Sequence, residues 1–177
     1  KGGRLNITAM PANDYLWARN TLTQRAIGPV STTTVTLDAS KLKDGDIAGL
    51  AVLNMPYAYI GVEKSGKSLR LKWYDQNGNK TEAANLSATK VYLRMTGDFD
   101  NATGTLLYSI DGKEFKQMGG EILMPYQLKT FQGARLSMFA YNTLGKQGGV
   151  AAFDDWQVDE PMADRSGNLP IGKVIRL

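Results

Sequence analysis

The sequence predicts an all-β protein, an antiparallel two-sheet β-sandwich, and three observations carry this prediction. Apolar and polar residues alternate along many short segments rich in Val, Ile, Tyr, Thr and Trp, which is the period-two pattern of half-buried strands. Turn signals separate these segments at intervals of about 8–12 residues, as in sandwiches and barrels. No stretch keeps a helical period for three turns. A chain of 177 residues, 42% of them hydrophobic, is long enough to bury such a core in one domain.

The individual elements follow from the same pattern, taken along the chain. Eight segments are predicted to be strands: 34–37, 49–53, 59–63, 69–73, 91–95, 106–110, 135–141 and 150–158. Asn77-Gly78 and Asp111-Gly112 predict tight hairpin turns, because these residues tolerate positive φ. Trp73 and Phe153 are in phase with their apolar neighbours and are predicted to lie in the core. Asn13–Asn20 is predicted to form a short helical piece at most.

The chain is predicted to contain one sandwich domain, residues 1–161, and a C-terminal linker or extension, residues 162–177. Pro161 and the polar run 164–168 mark the boundary, since domain edges are rich in such residues. The first residue is Lys1 rather than Met, which fits a mature, proteolysed or excised fragment.

Composition excludes several classes of function. The sequence has no cysteine and no histidine, so a disulfide framework, a cysteine nucleophile and a Ser-His-Asp triad are all excluded within this chain. The net charge of +4 is scattered rather than clustered, so we expect no nucleic-acid partner. No apolar run approaches the roughly 20 residues that cross a bilayer, so we expect no membrane span.

Two carboxylates that face one bond would indicate a glycosidase, because such enzymes need an acid and a base or nucleophile there. Asp154 and Asp155 are adjacent in a predicted strand, where neighbouring side chains point to opposite faces. The other candidates lie in turn-like sequence and are interpreted as solvated turn carboxylates: Asp44, Asp46, Asp98 and Asp100. No catalytic residue is predicted, which argues against an independent hydrolase.

A structural calcium ion is a further possibility at Asp154 and Asp155. Hard cations bind carboxylate and carbonyl oxygens, and backbone carbonyls of the N-terminal segment could complete such a site. The alternative is that either carboxylate hydrogen-bonds a neighbouring turn.

Polar aromatic residues suggest a contact surface. Tyr57 and Tyr59 alternate out of phase with the apolar residues around them, so they face away from the core. Tyr92 and Arg94 do the same in a later strand. Further residues are expected near the same strands: Gln24, Asn54, Tyr141 and Asn142. If the two strands are neighbours, this face is suited to carbohydrate or to a neighbouring domain, because rings stack on sugars while amides and guanidinium bind hydroxyls. The alternative is an ordinary solvated face.

Six segments in a fixed order resemble the C-terminal concanavalin A-like domain of glycoside hydrolase family 43 β-xylosidases and α-L-arabinofuranosidases. They are ARNTLTQR at 18–25 followed by Gly28-Pro29, DIAGL at 46–50, YAYIGV at 57–62, VYLR at 91–94, YSIDGKEF at 108–115 and AFDDW at 152–156. In the last segment the relatives more often carry an aromatic residue at the position of Asp155, which leaves Asp154 as the better metal candidate.

The resemblance implies a concanavalin A-like jelly roll that acts as a non-catalytic accessory domain. It implies packing on a five-bladed propeller of the same polypeptide, which carries the catalytic carboxylates, and xylan or arabinoxylan oligosaccharides as ligands. The loop Ala26–Ser31 is the candidate for a segment at the rim of that active site. We expect a secreted or periplasmic protein. A free-standing lectin-like carbohydrate-binding protein is the alternative.

Overall fold

A computed structural model describes residues 3–128 and 133–159, and it confirms the all-β prediction. Its first seven strands are β1 (Leu5–Thr8), β2 (Met10–Pro11), β3 (Thr21–Arg25), β4 (Val30–Lys41), β5 (Asp46–Leu53), β6 (Ala58–Ser65) and β7 (Ser68–Asp75). The others are β8 (Lys80–Leu86), β9 (Lys90–Asp98), β10 (Thr103–Ser109), β11 (Lys116–Gln117), β12 (Ile122–Leu123), β13 (Arg135–Asn142) and β14 (Val150–Asp159). A 3-10 helix covers Tyr15–Trp17, inside the segment predicted to form a short helical piece.

The strands form two seven-stranded sheets. The first has the order β1-β14-β4-β9-β10-β11, with β12 also paired to β10. The second has the order β2-β13-β5-β6-β7-β8, with β3 also paired to β13. All described strand pairs are antiparallel except β2 with β13. This is the two-sheet arrangement expected of a concanavalin A-like sandwich.

The main core lies between the sheets, and strand alternation explains which residues enter it. Val35 lies opposite Leu93 in the first sheet, and Ile60 lies opposite Trp73 in the second. The large side chains of this core that are at most 2% exposed include Val35, Leu37, Leu50, Ile60, Val62, Leu71, Trp73, Leu93, Leu106 and Phe153. The core assignments of Trp73 and Phe153 are therefore confirmed.

Sequence periodicity located the strands that have one buried face and missed others. Strand β8 was not predicted, because six of its seven residues are exposed and it carries no apolar period. The turn at Asn77-Gly78 is present, but positive φ occurs at Gly78 and Asn79, one residue later than predicted.

The predicted C-terminal extension, residues 162–177, lies outside the described residues, as does the proposed boundary at Pro161. In the described part of the chain, the only helix is far too short to cross a membrane.

Candidate functional site

The predicted aromatic contact face is a second, sealed core. Tyr57, Tyr59 and Tyr141 lie on the face of the second sheet that points away from the main core, together with Phe139. Their exposed fractions are only 2%, 3% and 4%, so the prediction that these tyrosines form an open platform is wrong.

The cover is the segment that contains the 3-10 helix. The ring of Tyr15 lies 5.0 Å from that of Tyr57 and 4.9 Å from that of Phe139. The Tyr15 hydroxyl hydrogen-bonds Ser137 Oγ across 2.5 Å, beneath the segment. One carboxylate oxygen of Asp14 accepts a hydrogen bond from the Tyr57 hydroxyl at 2.6 Å. The other caps the helix by accepting from the Leu16 amide at 2.8 Å. These contacts hold the segment down on the sheet.

Burial changes the acid-base properties of this second core. It raises the pKa of Tyr141 to about 12, and it raises the pKa of Tyr15, Tyr57 and Tyr59 beyond the usual range of a phenol. In each case the main cause is that the phenolate would lose its hydration. The cluster therefore stays neutral and apolar at physiological pH, as a structural core does.

Tyr92 and Arg94 do not join those tyrosines, which corrects the prediction of one shared face. They lie on β9 in the first sheet. Tyr59 lies on β6 of the second sheet, and Tyr57 directly precedes that strand. Arg94 is half-buried: its Nε donates to Thr34 Oγ1 at 2.9 Å, and its Cζ lies 3.5 Å from the centroid of the Phe115 ring.

Tyr92 packs in the same way under the loop that follows β10. A Cβ atom placed on Gly112 would lie 3.0–3.2 Å from the Tyr92 ring, so the loop backbone rests directly on it. Lys90 Nζ lies 5.3 Å from the ring centroid. Tyr92 and Arg94 therefore anchor this loop and its Asp111-Gly112 turn.

The three predicted amides have separate structural partners. Gln24 Oε1 accepts from Trp156 Nε1 at 2.8 Å, which links β3 to β14. Asn54 Nδ2 donates to the Pro125 carbonyl at 3.1 Å, while its buried Oδ1 has no hydrogen-bond partner in the described part of the chain. Asn142 does not lie on a shared contact face either, because its bonds close a buried turn.

That turn contains Asp46, which corrects the prediction of a solvated turn carboxylate. Asp46 is fully buried. It accepts from the Lys43 amide at 2.7 Å, from the Gly149 amide at 2.7 Å and from Asn142 Nδ2 at 2.7 Å. A Cβ atom on Gly148 would lie 1.7 Å from its Oδ1, so this glycine is required by the close approach. The carboxylate joins β5, β13 and the 145–149 turn.

Asp154 and Asp155 occupy an irregular part of β14. Asp155 has φ 51°, and the pairing with β4 shifts register between Asp154 and Gln157. Asp154 Oδ2 lies 3.5 Å from Arg4 Nε, and Oδ1 accepts from the Asp155 amide at 3.0 Å. Among the residues that the structure describes, no group of three Asp or Glu side chains is arranged to hold a metal. Calcium at this position stays a prediction.

A pocket of about 610 Å³ opens at one end of the sandwich, and sequence reasoning did not identify it. Its lining comes from four separate segments: Arg25, Ala26 and Gly28; Phe99 and Ala102; Met124 and Tyr126; and Gly133 to Arg135. The Phe99 amide donates to the Pro29 carbonyl at 2.7 Å, and the Met124 amide donates to the Ala102 carbonyl at 2.7 Å. These bonds fix the segments relative to one another. The loop Ala26–Ser31, singled out by resemblance as a rim segment, forms part of this end.

Two exposed apolar side chains lie on the segment that contains the 3-10 helix. Leu16 and Trp17 follow the buried Tyr15, and their exposed fractions are 39% and 75%. They sit on the outside of the segment that covers the second core, so a firmly anchored helix presents a tryptophan to its surroundings.

The comparisons with known proteins agree with this architecture. The family of β-xylosidase C-terminal concanavalin A-like domains matches residues 1–159. A bifunctional GH43-CE protein of Bacteroides eggerthii is 32% identical, with a TM-score of 0.82 over 91% of this chain and 21% of its own. A GH43 glycoside hydrolase engineered to display endo-xylanase and exo-arabinofuranosidase activity is 29% identical, with a TM-score of 0.75 over 88% of this chain and 34% of its own.

A provisionally named β-xylosidase of Xylanibacter ruminicola is 27% identical over 122 residues, which are 69% of this chain and 22% of that protein. The chain thus spans only about a fifth to a third of the length of these relatives. It belongs to the family of β-xylosidase C-terminal concanavalin A-like domains, and it is an accessory domain of glycoside hydrolases rather than their catalytic domain.

Proposed function

We propose that this chain is the non-catalytic accessory domain of a xylan- or arabinoxylan-degrading glycosidase of the β-xylosidase or α-L-arabinofuranosidase type. It packs on the catalytic domain of the same polypeptide and binds xylan-type glycan. Support comes from the family, from the names of the relatives and from the small share of their length that the chain spans.

The observation that carries the packing proposal is the exposure of Trp17 at 75% on an anchored helix. Tyr15 and Asp14 hold this helix to the sheet, so Trp17 and Leu16 are presented with little freedom. Rigid, exposed tryptophans are typical hot spots of protein interfaces, because they bury a large area at a small entropic cost. The catalytic domain is the proposed partner, because most of the length of the relatives lies outside this domain.

The packing test compares hydrogen exchange of the chain alone and joined to the catalytic domain of its polypeptide. We expect the amides of residues 14–18 to gain protection in the joined protein, and Trp17→Ser to remove this gain. Ile110→Ser is the matched control, because Ile110 is 49% exposed but directly follows β10 of the other sheet. Equal exchange in the two proteins would show that this helix is not the contact.

The glycan part of the proposal rests on the end pocket, whose size suits a sugar residue. We expect xylotetraose to shift NMR signals of Phe99 and Tyr126, with an affinity between near-millimolar and micromolar, since a shallow site supplies only some ~4–8 kcal/mol. Tyr126→Ala should weaken binding, and Trp17→Ser should leave it unchanged. Shifts confined to other residues would contradict this placement.

A further inference from the structure

Arg25 and Arg135 face each other across a strand pair, and no described residue supplies either with a counter-ion. They are direct partners in the register of β3 with β13, so their side chains start from the same face of the sheet. Both line the end pocket. Neither forms a salt bridge in the described part of the chain. Like charges placed directly opposite destabilise a strand pair, so this arrangement costs free energy in the unliganded domain.

The Arg135 guanidinium makes few hydrogen bonds to the described residues. One terminal nitrogen donates to Thr23 Oγ1 across a long 3.4 Å. Its Nε is buried and has no hydrogen-bond partner among the described residues. A buried donor left unpaired is costly, and a guanidinium binds a carboxylate through two parallel hydrogen bonds. The site therefore places two positive charges and their guanidinium groups at one pocket.

The remaining walls of the pocket favour a ring over a bare ion. Phe99 and Met124 supply apolar surface, and Tyr126, which is 71% exposed, supplies an accessible aromatic ring. No Asp or Glu is among the described lining residues. The volume of about 610 Å³ exceeds what a small inorganic anion needs and suits one sugar.

We propose that this pocket binds a sugar that carries a ring carboxylate, a hexuronic acid, with Arg25 and Arg135 on the carboxylate and Tyr126 against the sugar ring. The inference rests on the proposed glycan-binding role and names the sugar class that the pocket selects. Neutral xylose units would then contact the same walls without engaging the arginine pair.

Calorimetric or NMR titration of the 177-residue chain tests this proposal at fixed ionic strength. We expect methyl glucuronoside to bind at least about tenfold more tightly than its methyl ester, because only the acid pairs with guanidinium. Arg25→Gln and Arg135→Gln should each weaken the acid by about tenfold or more and leave the ester nearly unaffected. Arg70→Gln, the same change at an exposed residue of β7, should leave both ligands unaffected.

Folding of the variants is checked by thermal unfolding. Because each substitution removes a like-charge repulsion, the midpoint should stay the same or rise, whereas loss of a structural arginine would lower it. A lowered midpoint in both variants would contradict the role of the pair as an unliganded anion site.

Three outcomes separate this inference from the proposed function. Equal affinity for acetate and for the glucuronoside would overturn the proposal that the pocket recognises a sugar, because the arginine pair would then bind any carboxylate. Binding of xylotetraose at Tyr126 with no preference for the acid would overturn this inference and support the glycan-binding role. Absence of binding by both sugars would overturn both, while the packing experiment remains an independent test of the accessory role.

Discussion

The hydroxyl of Tyr15 and Oγ of Ser137 lie 2.5 Å apart, although 122 residues separate them in the chain. This contact attaches the N-terminal segment to the outer face of the second sheet. It turns a face that alternation alone predicts to be open into a closed core.

Tyr15→Phe should lower the free energy of unfolding by about 1 kcal/mol, because it removes one buried hydrogen bond. Tyr15→Ala should cost about 3–5 kcal/mol, because it also leaves a cavity beside Tyr57 and Phe139. In a domain of this size these losses correspond to roughly 2–4 °C per kcal/mol in thermal unfolding. Leu16→Ala, next to it but 39% exposed, is the control and should change the midpoint little. A small effect of Tyr15→Ala would show that the segment is not a true cover.

Alkaline pH should destabilise the domain through its buried tyrosines. The pKa of Tyr141 is raised to about 12, and those of Tyr15, Tyr57 and Tyr59 are raised further. In the unfolded chain these phenols titrate near 10, so above that pH the unfolded state binds fewer protons than the folded one. The stabilisation is complete below pH 10 and falls as pH rises, by up to roughly 1.4 kcal/mol per pH unit for each such tyrosine.

The measurement is phenolate absorbance against pH, compared with unfolding followed by circular dichroism. We expect the buried tyrosines to ionise together with unfolding rather than near pH 10. Ionisation of all tyrosines near pH 10 in a folded protein would contradict the sealed core.

Asp46→Asn should destabilise the domain by about 2–4 kcal/mol. The carboxylate accepts three hydrogen bonds while fully buried, and an amide would direct donors at existing donors. Asp44→Asn is the matched control, since Asp44 is exposed and accepts from the Gly66 amide. Urea unfolding of both variants gives the comparison. Equal stability of the two would mean that the Asp46 network contributes little.

The 177-residue chain by itself should show no glycosidase activity. It belongs to a family of C-terminal concanavalin A-like domains, and its sequence predicts no pair of carboxylates that face one bond. The assay uses aryl xylosides and aryl arabinofuranosides at high protein concentration. Turnover that persists through repurification and disappears in Asp154→Asn or Asp155→Asn would contradict this expectation.

Local sequence determined the strands that have one apolar face and, with them, the fold class. Alternation assigned Ile60, Val62, Leu93 and Trp73 to the core, and the structure confirms each of them. It also placed Tyr59 correctly on the opposite face of its strand. This works because the two faces of a strand are set by neighbouring residues. The ordered segments between Ala18 and Trp156 added the resemblance to the family, and the family match over residues 1–159 confirms it.

Tertiary structure decided what covers each face and which strands share a sheet. The periodicity around Tyr59 is the same whether solvent or Tyr15 lies above it, so burial could not be inferred from that strand. Strands β6 and β9 have similar patterns but belong to different sheets, because pairing depends on the whole chain. Arg25 and Arg135 likewise face each other because of the register in which β3 pairs with β13. Arg25 and Arg135 are 110 positions apart and Tyr15 and Tyr59 are 44 apart, so only the folded chain brings them together.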